Sequence, residues 1–203
     1  AIDPEMPMAQ AALIGCGVMA GLLGAIWAAI PGWLQAKRGS HVVITTIMFN
    51  FIAGGLLNYL LVNHMRPPGS MDPSTARFPE ATHLPTLHDV LGAFGIEFSR
   101  AAPANISFLI AILACVFVWA LIWRTRFGYE LRAYGHSEPA AVYAGISPKR
   151  IVVWAMLISG ALAGMMAINN VMGEAERLVL NAVEGAGFIG IAVALMGRNH
   201  PLG

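Results

Sequence analysis

Charged side chains are missing from four long stretches of this chain, and nothing else in the sequence constrains its fold as tightly. Residues 8–30, 42–62, 106–123 and 151–170 hold no Asp, Glu, Lys or Arg, over runs of 23, 21, 18 and 20 residues. At about 1.5 Å per helical residue, each comes close to the roughly 30 Å hydrocarbon core of a bilayer. A backbone in that core has no water to bond, so an open chain crosses it only as a helix that satisfies its own peptide groups. One such run is compatible with a signal peptide, which sits once at an N-terminus behind a basic leader. Four are not, and residues 1–7 carry Asp3 and Glu5 instead of basic residues. Composition agrees, because 57% hydrophobic and 11% charged residues leave too few charges to clothe a soluble domain, where about 25% is usual. The expected fold is all-α: a polytopic transmembrane helical bundle, with residues 1–203 forming part of a single membrane domain. A fifth apolar stretch, 185–197, is short and glycine-rich and reads as a short, re-entrant or broken segment.

The loops orient the spans through the excess of Lys and Arg on the cytoplasmic side. Connection 32–41 carries Lys37 and Arg38 and no acid, and 124–150 carries Arg124, Arg126, Arg132, Lys149 and Arg150 against Glu130 and Glu138. By contrast, 63–105 holds three arginines against four acids, and 171–184 sets Arg177 against Glu174, Glu176 and Glu184. The first two loops are therefore expected inside, the other two outside. The chain opens on Ala1 and stops at Pro201-Leu202-Gly203 directly after an apolar segment, as expected of an internal piece of a longer protein.

Within the runs, small residues recur every fourth position: Gly17 and Gly21, then Ala20, Gly24 and Ala28, then Gly160 and Gly164. Such rows let helix backbones approach closely inside a membrane, so a packed bundle is expected. Polar residues in spans are costly without a partner or a cavity. Thr46, Asn50 and Asn58 recur along the second run, and Asn169 and Asn170 close the fourth. They act either as interhelical glue or, for Thr46, Asn50, Asn58 and Asn169, as the lining of a substrate path. No ionisable carboxylate or base lies in any of the four runs, which argues against a proton relay.

Other chemistries find little support. A net charge of +1 offers no basic patch for nucleic acid. Cys16 and Cys115 lie alone in apolar runs, without metal-ligand spacing or a disulfide framework. His41, His64, His83, His88, His136 and His200 all fall in loops, so no span supplies a metal ligand. His83, His88 and Asp89 stand close enough in sequence to hold a metal, although a solvated loop explains them as well. There is no GxSxG or HExxH motif and no P-loop, so any ATP hydrolysis has to come from a partner. No metal or cofactor is expected. A secondary transporter independent of an ATPase and an intramembrane enzyme stand as the alternatives.

The richest segment is RTRFGYELRAYGHSEPAAVYAGISPKR, residues 124–150. A short helix is expected from about Tyr129 to Tyr134, ended by Gly135 in a left-handed conformation. Ser137 is placed to cap a second helix with Pro139 in its first turn and Gly145 closing it. Ser147 is then placed to cap, and Pro148 to begin, the fourth span.

This segment resembles the cytoplasmic stretch of ABC-importer permeases for simple sugars, nucleosides and branched-chain amino acids. GWLQAKRGSHVVITTIMFNFIAGGLLNYLL (32–61) and GAGFIGIAVALMGRNHPLG (185–203) are similar to the same family. The closest subgroup is the nucleoside-type permeases that work with a basic-membrane-protein-type lipoprotein receptor. The resemblance implies a multi-pass protein of the bacterial inner membrane, in a longer chain with further spans. It also implies a second permease subunit, two cytoplasmic ATPase subunits and an external substrate-binding lipoprotein. It assigns ATPase coupling to Gly128, Glu130, Leu131, Arg132, Ala133, Gly135, Ala140, Ala141, Gly145 and Ile146.

Overall fold

The computed structural model describes residues 6–67, 72–78, 106–180, 185–198 and 200. Its elements are helices. Helix α1 spans Met6–Arg38 and α2 spans Val42–Leu60, extended by a π-helical turn, Leu61–Met65. Helix α3 is Ser107–Arg124, α4 is Arg126–His136 and α5 is Glu138–Tyr143. Helix α6 is Pro148–Ile168 with a π-helical turn, Asn169–Glu174, and α7 is Ala186–Met196. Four of these are long and apolar enough to cross a membrane: Ile14–Arg38, Val42–Met65, Ser107–Arg124 and Pro148–Gly173. The shorter apolar helix α7 occupies the fifth stretch. The chain is a multi-pass helical membrane protein.

The β-branched and aromatic residues of α3, SFLIAILACVFVWALIWR, would be indifferent helix formers in water. In lipid the choice is forced, because a helix alone closes every backbone hydrogen bond locally. The same constraint carries α1 straight through Pro31, which removes one backbone donor from the ladder. The first helix therefore reaches Arg38, and the expected loop 32–41 shrinks to residues 39–41. Gly39 makes that tight connection possible with φ +63, a left-handed value that a side chain disfavours.

Helices α1 and α6 form the centre of the packing and run antiparallel. The spaces left by small residues fix their register: Gly17 faces Ile168, Gly21 faces Met165, Gly24 faces Gly160 and Gly164, and Gly32 faces Met156. A methyl group at Gly24 would lie 3.0 Å from Gly164 Cα and nearer still to Gly160 O. One at Gly164 would run into Ala20 O. The glycine and alanine rows are thus the contact itself, and the backbones touch along them. Helix α2 leans on α1 through an edge-to-face pair, Trp27 and Phe49, with ring centroids 5.8 Å apart. The outer faces of α2, α3 and α7 present large apolar side chains, among them Phe51, Phe117 and Phe188, as lipid-facing or bundle-facing helices do.

The chain's two ends of the bundle are distinct. At one end, the segment after α2 pairs with the segment after α6. Ser74 and Val179 form an antiparallel bridge, Thr75 N donates to Leu178 O at 3.0 Å, and Phe78 N donates to Glu176 O at 2.9 Å. Leu178 N returns a bond to Thr75 Oγ1 at 3.0 Å, and Arg77 Nε stands 3.9 Å from Glu176 Oε2. Both expected outside loops therefore meet at the same end. The antiparallel α1–α6 contact places Lys37 and Arg38 at the other end, beside the start of α6. The His83–His88–Asp89 cluster lies outside the described residues.

Candidate functional site

The segment between α3 and α6 is folded on itself rather than slack. Thr125 makes the corner. Its backbone is extended (φ −109, ψ 159), its Oγ1 donates to Leu121 O at 2.5 Å, and the same oxygen accepts from Gly128 N at 3.1 Å. One hydroxyl thus ties the last turn of α3 to the first turn of α4. Gly128 is buried, and a methyl there would strike Leu121 O and Ile122 O. The glycine is what lets α4 turn back so tightly against the end of α3.

Helix α4 is longer than expected, Arg126–His136 rather than about 129–134. Gly135 lies inside it and is not left-handed; among the described glycines, positive φ falls at Gly39, Gly145 and Gly185. The expectation for Gly135 is thus corrected. The break comes two residues later, where Ser137 adopts φ −159 and ψ 107 and its side chain accepts from Ala140 N at 3.4 Å. A cap that begins the next helix ended this one, so no left-handed glycine was needed at 135. Gly145 does take that role after α5, with φ +80, and Ile146 N closes the turn on Ala141 O at 3.0 Å. Ser147 takes the N-cap position of α6 as expected but its side chain makes no cap bond, and Pro148 opens the helix.

The ten residues assigned to coupling divide by environment. Gly128 and Ala141 are buried and anchor the element. Glu130, Leu131, Arg132, Ala133 and Ile146 are half-buried, while Gly135, Ala140 and Gly145 are exposed. Arg132 is held from two sides: its Nε donates to Gly128 O at 3.4 Å, and its guanidinium lies 4.5 Å from the Trp123 ring centroid. A cleft of about 680 Å³ runs beside it, lined by Trp123, Arg126, Tyr129, Glu130, Arg132 and Ile146 among others. Beyond the cleft, α5 projects an apolar tip, with Tyr143 94% and Val142 52% exposed. Sequence reasoning passed over Thr125, Trp123 and Tyr143. The signal for Thr125 was its residue type, since Thr is among the side chains favoured at a helix N-cap.

Cations stacked on tryptophan mark this end of the bundle. Lys37 lies 5.1 Å from the Trp33 ring and Arg124 5.6 Å from Trp119, in addition to Arg132 on Trp123. Tryptophan with Lys or Arg at helix ends is the pattern of a membrane–water boundary.

Of the four residues expected along a path, Thr46, Asn50 and Asn58 lie on α2 and Asn169 follows α6. Thr46 is half-buried, and its hydroxyl donates to Val42 O at 2.9 Å and Val43 O at 3.1 Å. It satisfies its own helix. Asn50 and Asn58 are exposed on α2. Asn169 is half-buried in the π-turn after α6. Cys16 is exposed and Cys115 half-buried, both as free thiols. Among the described residues, no group of three or more His, Cys, Asp or Glu is placed to hold a metal.

Comparison with known proteins gives these features a family. A guanosine ABC transporter permease protein of Bacillus subtilis is 36% identical over 189 residues, covering 92% of this chain and 51% of that protein. A glucose ABC transporter permease protein of Haloferax volcanii is 34% identical over 176 residues, 87% of this chain and 46% of the relative. A nucleoside ABC transporter permease protein of Lactococcus lactis is 32% identical over 206 residues, 98% and 54% of the two chains. The chain spans about half the length of the curated relatives it matches. No solved structure matches it. The family model described as the branched-chain amino acid transport system / permease component matches residues 5–203, and the chain belongs to that family.

Proposed function

We propose that this chain is part of the membrane-spanning permease of an ATP-driven ABC importer that moves a small polar solute, a nucleoside or a simple sugar, across a bacterial inner membrane. The observation that carries this reading is the α4–α5 element. It is rigidly cornered at Thr125 and Gly128, set at the cationic, tryptophan-marked end of the bundle, and tipped by the exposed Tyr143 and Val142. That is the shape of an element made to dock on a partner. The chain contains no nucleotide-binding motif, so the partner supplies the ATPase; a second permease subunit and an external binding lipoprotein complete the assembly. The names of the relatives, guanosine, nucleoside and glucose permeases, support the solute class.

Uptake tests the mechanism. In cells carrying the full-length protein with its neighbouring genes, labelled guanosine or glucose should accumulate, and ATP depletion should abolish accumulation while an uncoupler leaves it largely intact. Collapse with the uncoupler alone would favour the secondary transporter.

Orientation is tested by thiol labelling. With Cys16 and Cys115 replaced, a cysteine at the exposed Ala76 should react with an impermeant reagent in sealed cells, whereas one at the exposed Glu138 should react only after lysis. The reverse pattern overturns the sidedness proposed for the α4–α5 element.

The path reading singles out Asn50. Its exposure on α2 suits a residue facing a solute route or another span. Asn50→Leu should lower uptake per molecule several-fold with little change in protein level, because an interhelical polar bond contributes only about 0.6 kcal/mol on average. Reduced protein with normal uptake per molecule would instead identify Asn50 as glue.

A further inference from the structure

We propose that the cleft between α3, α4 and α6 is a binding site for an anionic phospholipid, with the headgroup phosphate held by Arg126 and Arg150. The cleft has a volume of about 510 Å³, and its lining is part apolar and part basic: Leu121 from α3 with Ile151, Trp154 and Ile158 from α6, and the arginines Arg126 and Arg150. Position along the helices separates the two kinds of lining. Leu121 and Ile158 lie within the apolar runs, Arg126 stands just past the end of α3, and Arg150 is in the first turn of α6.

Both arginines are exposed, and the ion pair seen between described residues, Arg77 with Glu176, lies at the opposite end and involves neither of them. Two guanidinium-bearing residues that line one cleft repel each other and favour an anion between them. A guanidinium presents paired donors that match a phosphate oxygen pair. The apolar lining at Leu121 and Ile158, further into the membrane-spanning runs, disfavours a fully hydrated phosphate ion there and suits acyl chains. Basic pockets between transmembrane helices bind anionic headgroups on this principle. Glu130 also lines the cleft and weakens the positive field there, so the site tolerates one carboxylate and its removal should tighten binding. The inference rests on the chain crossing a membrane and is independent of what it transports.

Native mass spectrometry of the full-length protein, delipidated in detergent and offered phosphatidylglycerol or phosphatidylcholine, tests this directly. The wild type should retain phosphatidylglycerol in preference. Basic residues near an anionic surface contribute enough that Arg126→Gln with Arg150→Gln should cut that retention roughly 10- to 30-fold. Phosphatidylcholine retention should stay unchanged, and this is also the check that the variant is folded. Glu130→Gln should raise phosphatidylglycerol retention, a gain that damage to the fold does not produce. Inorganic phosphate at millimolar concentration should leave the bound lipid in place. Equal retention of the two lipids by the wild type, or an undiminished preference in the double variant, overturns the proposal. Displacement by inorganic phosphate also overturns it, by showing a site for the ion rather than the lipid. Filling of the cleft by another part of the assembled protein would appear as no preference at all.

Discussion

Gly24→Leu and Gly164→Leu, each placed in the full-length protein, should strip most of the folded protein from the membrane fraction and lower its thermal stability in detergent by several degrees or more. Both positions lie where α1 and α6 touch backbone to backbone. A first side-chain carbon at Gly24 already comes within 3.0 Å of Gly164 Cα, and at Gly164 it meets Ala20 O and sits 2.9 Å from Ala20 C. The obstacle is main chain in both cases, so no rotamer change relieves it. The helices have to part, and parting forfeits close packing along the whole Gly17–Gly32 face. Overpacking of this kind costs about 1–3 kcal/mol in soluble cores. Here it should stand at the upper end, because lipid supplies no hydrophobic force to press the helices back together. Gly15 gives the internal comparison: it is on the same helix with nothing within 4 Å, and Gly15→Leu should change little. Equal damage from Gly15→Leu and Gly24→Leu would remove the packing argument.

The small-residue faces of α1 and α6 were legible in the sequence, though not that they pack on each other, and the reason is physical. In a membrane the helix is compulsory, so every fourth residue shares a face and a row of small residues is a row of close approach. Gly24, Gly160 and Gly164 could be read as a packing face from spacing alone. Gly135 could not be read in the same way. It stands outside the bilayer, where helix and turn compete, and the outcome depended on Ser137 taking the extended conformation that begins α5. The pairing of Ser74 with Val179 was also out of reach, since neither segment alternates or carries a turn signal that names a partner about a hundred residues away. Thr46, Asn50, Asn58 and Asn169 were recognisable as polar residues in apolar runs. Whether they meet one another is set by helix rotation, and the helical pattern of α2 leaves Asn50 and Asn58 off the face that carries Phe49 against Trp27.

The second large effect should come from Gly128→Val. In the full-length protein with the ATPase proposed as its partner, uptake should fall tenfold or more while the protein still inserts and accumulates, because no membrane-spanning packing is disturbed. The added carbons would collide with Leu121 O and Ile122 O. Helix α4 would then have to swing away from α3, breaking the bond from Gly128 N to Thr125 Oγ1 and moving the Arg132 partner, Gly128 O. Since α5 is attached through the single extended residue Ser137, the tilt passes undiminished to Tyr143 and Val142, the tip proposed to dock. Hydrolysis by the ATPase should therefore lose its response to the loaded binding protein. Thr125→Val, which keeps the shape but removes the hydroxyl, should do the same more mildly, at the roughly 1 kcal/mol typical of a lost cap. Gly135→Ala should behave in the opposite sense. Gly135 is helical, with nothing within 4 Å of an added carbon, so alanine should stabilise α4 by about 0.5–1 kcal/mol. Normal coupled uptake in Gly128→Val would mean that the corner does not set the position of α5, and the mechanical link from span to docking tip would have to be sought elsewhere in the chain.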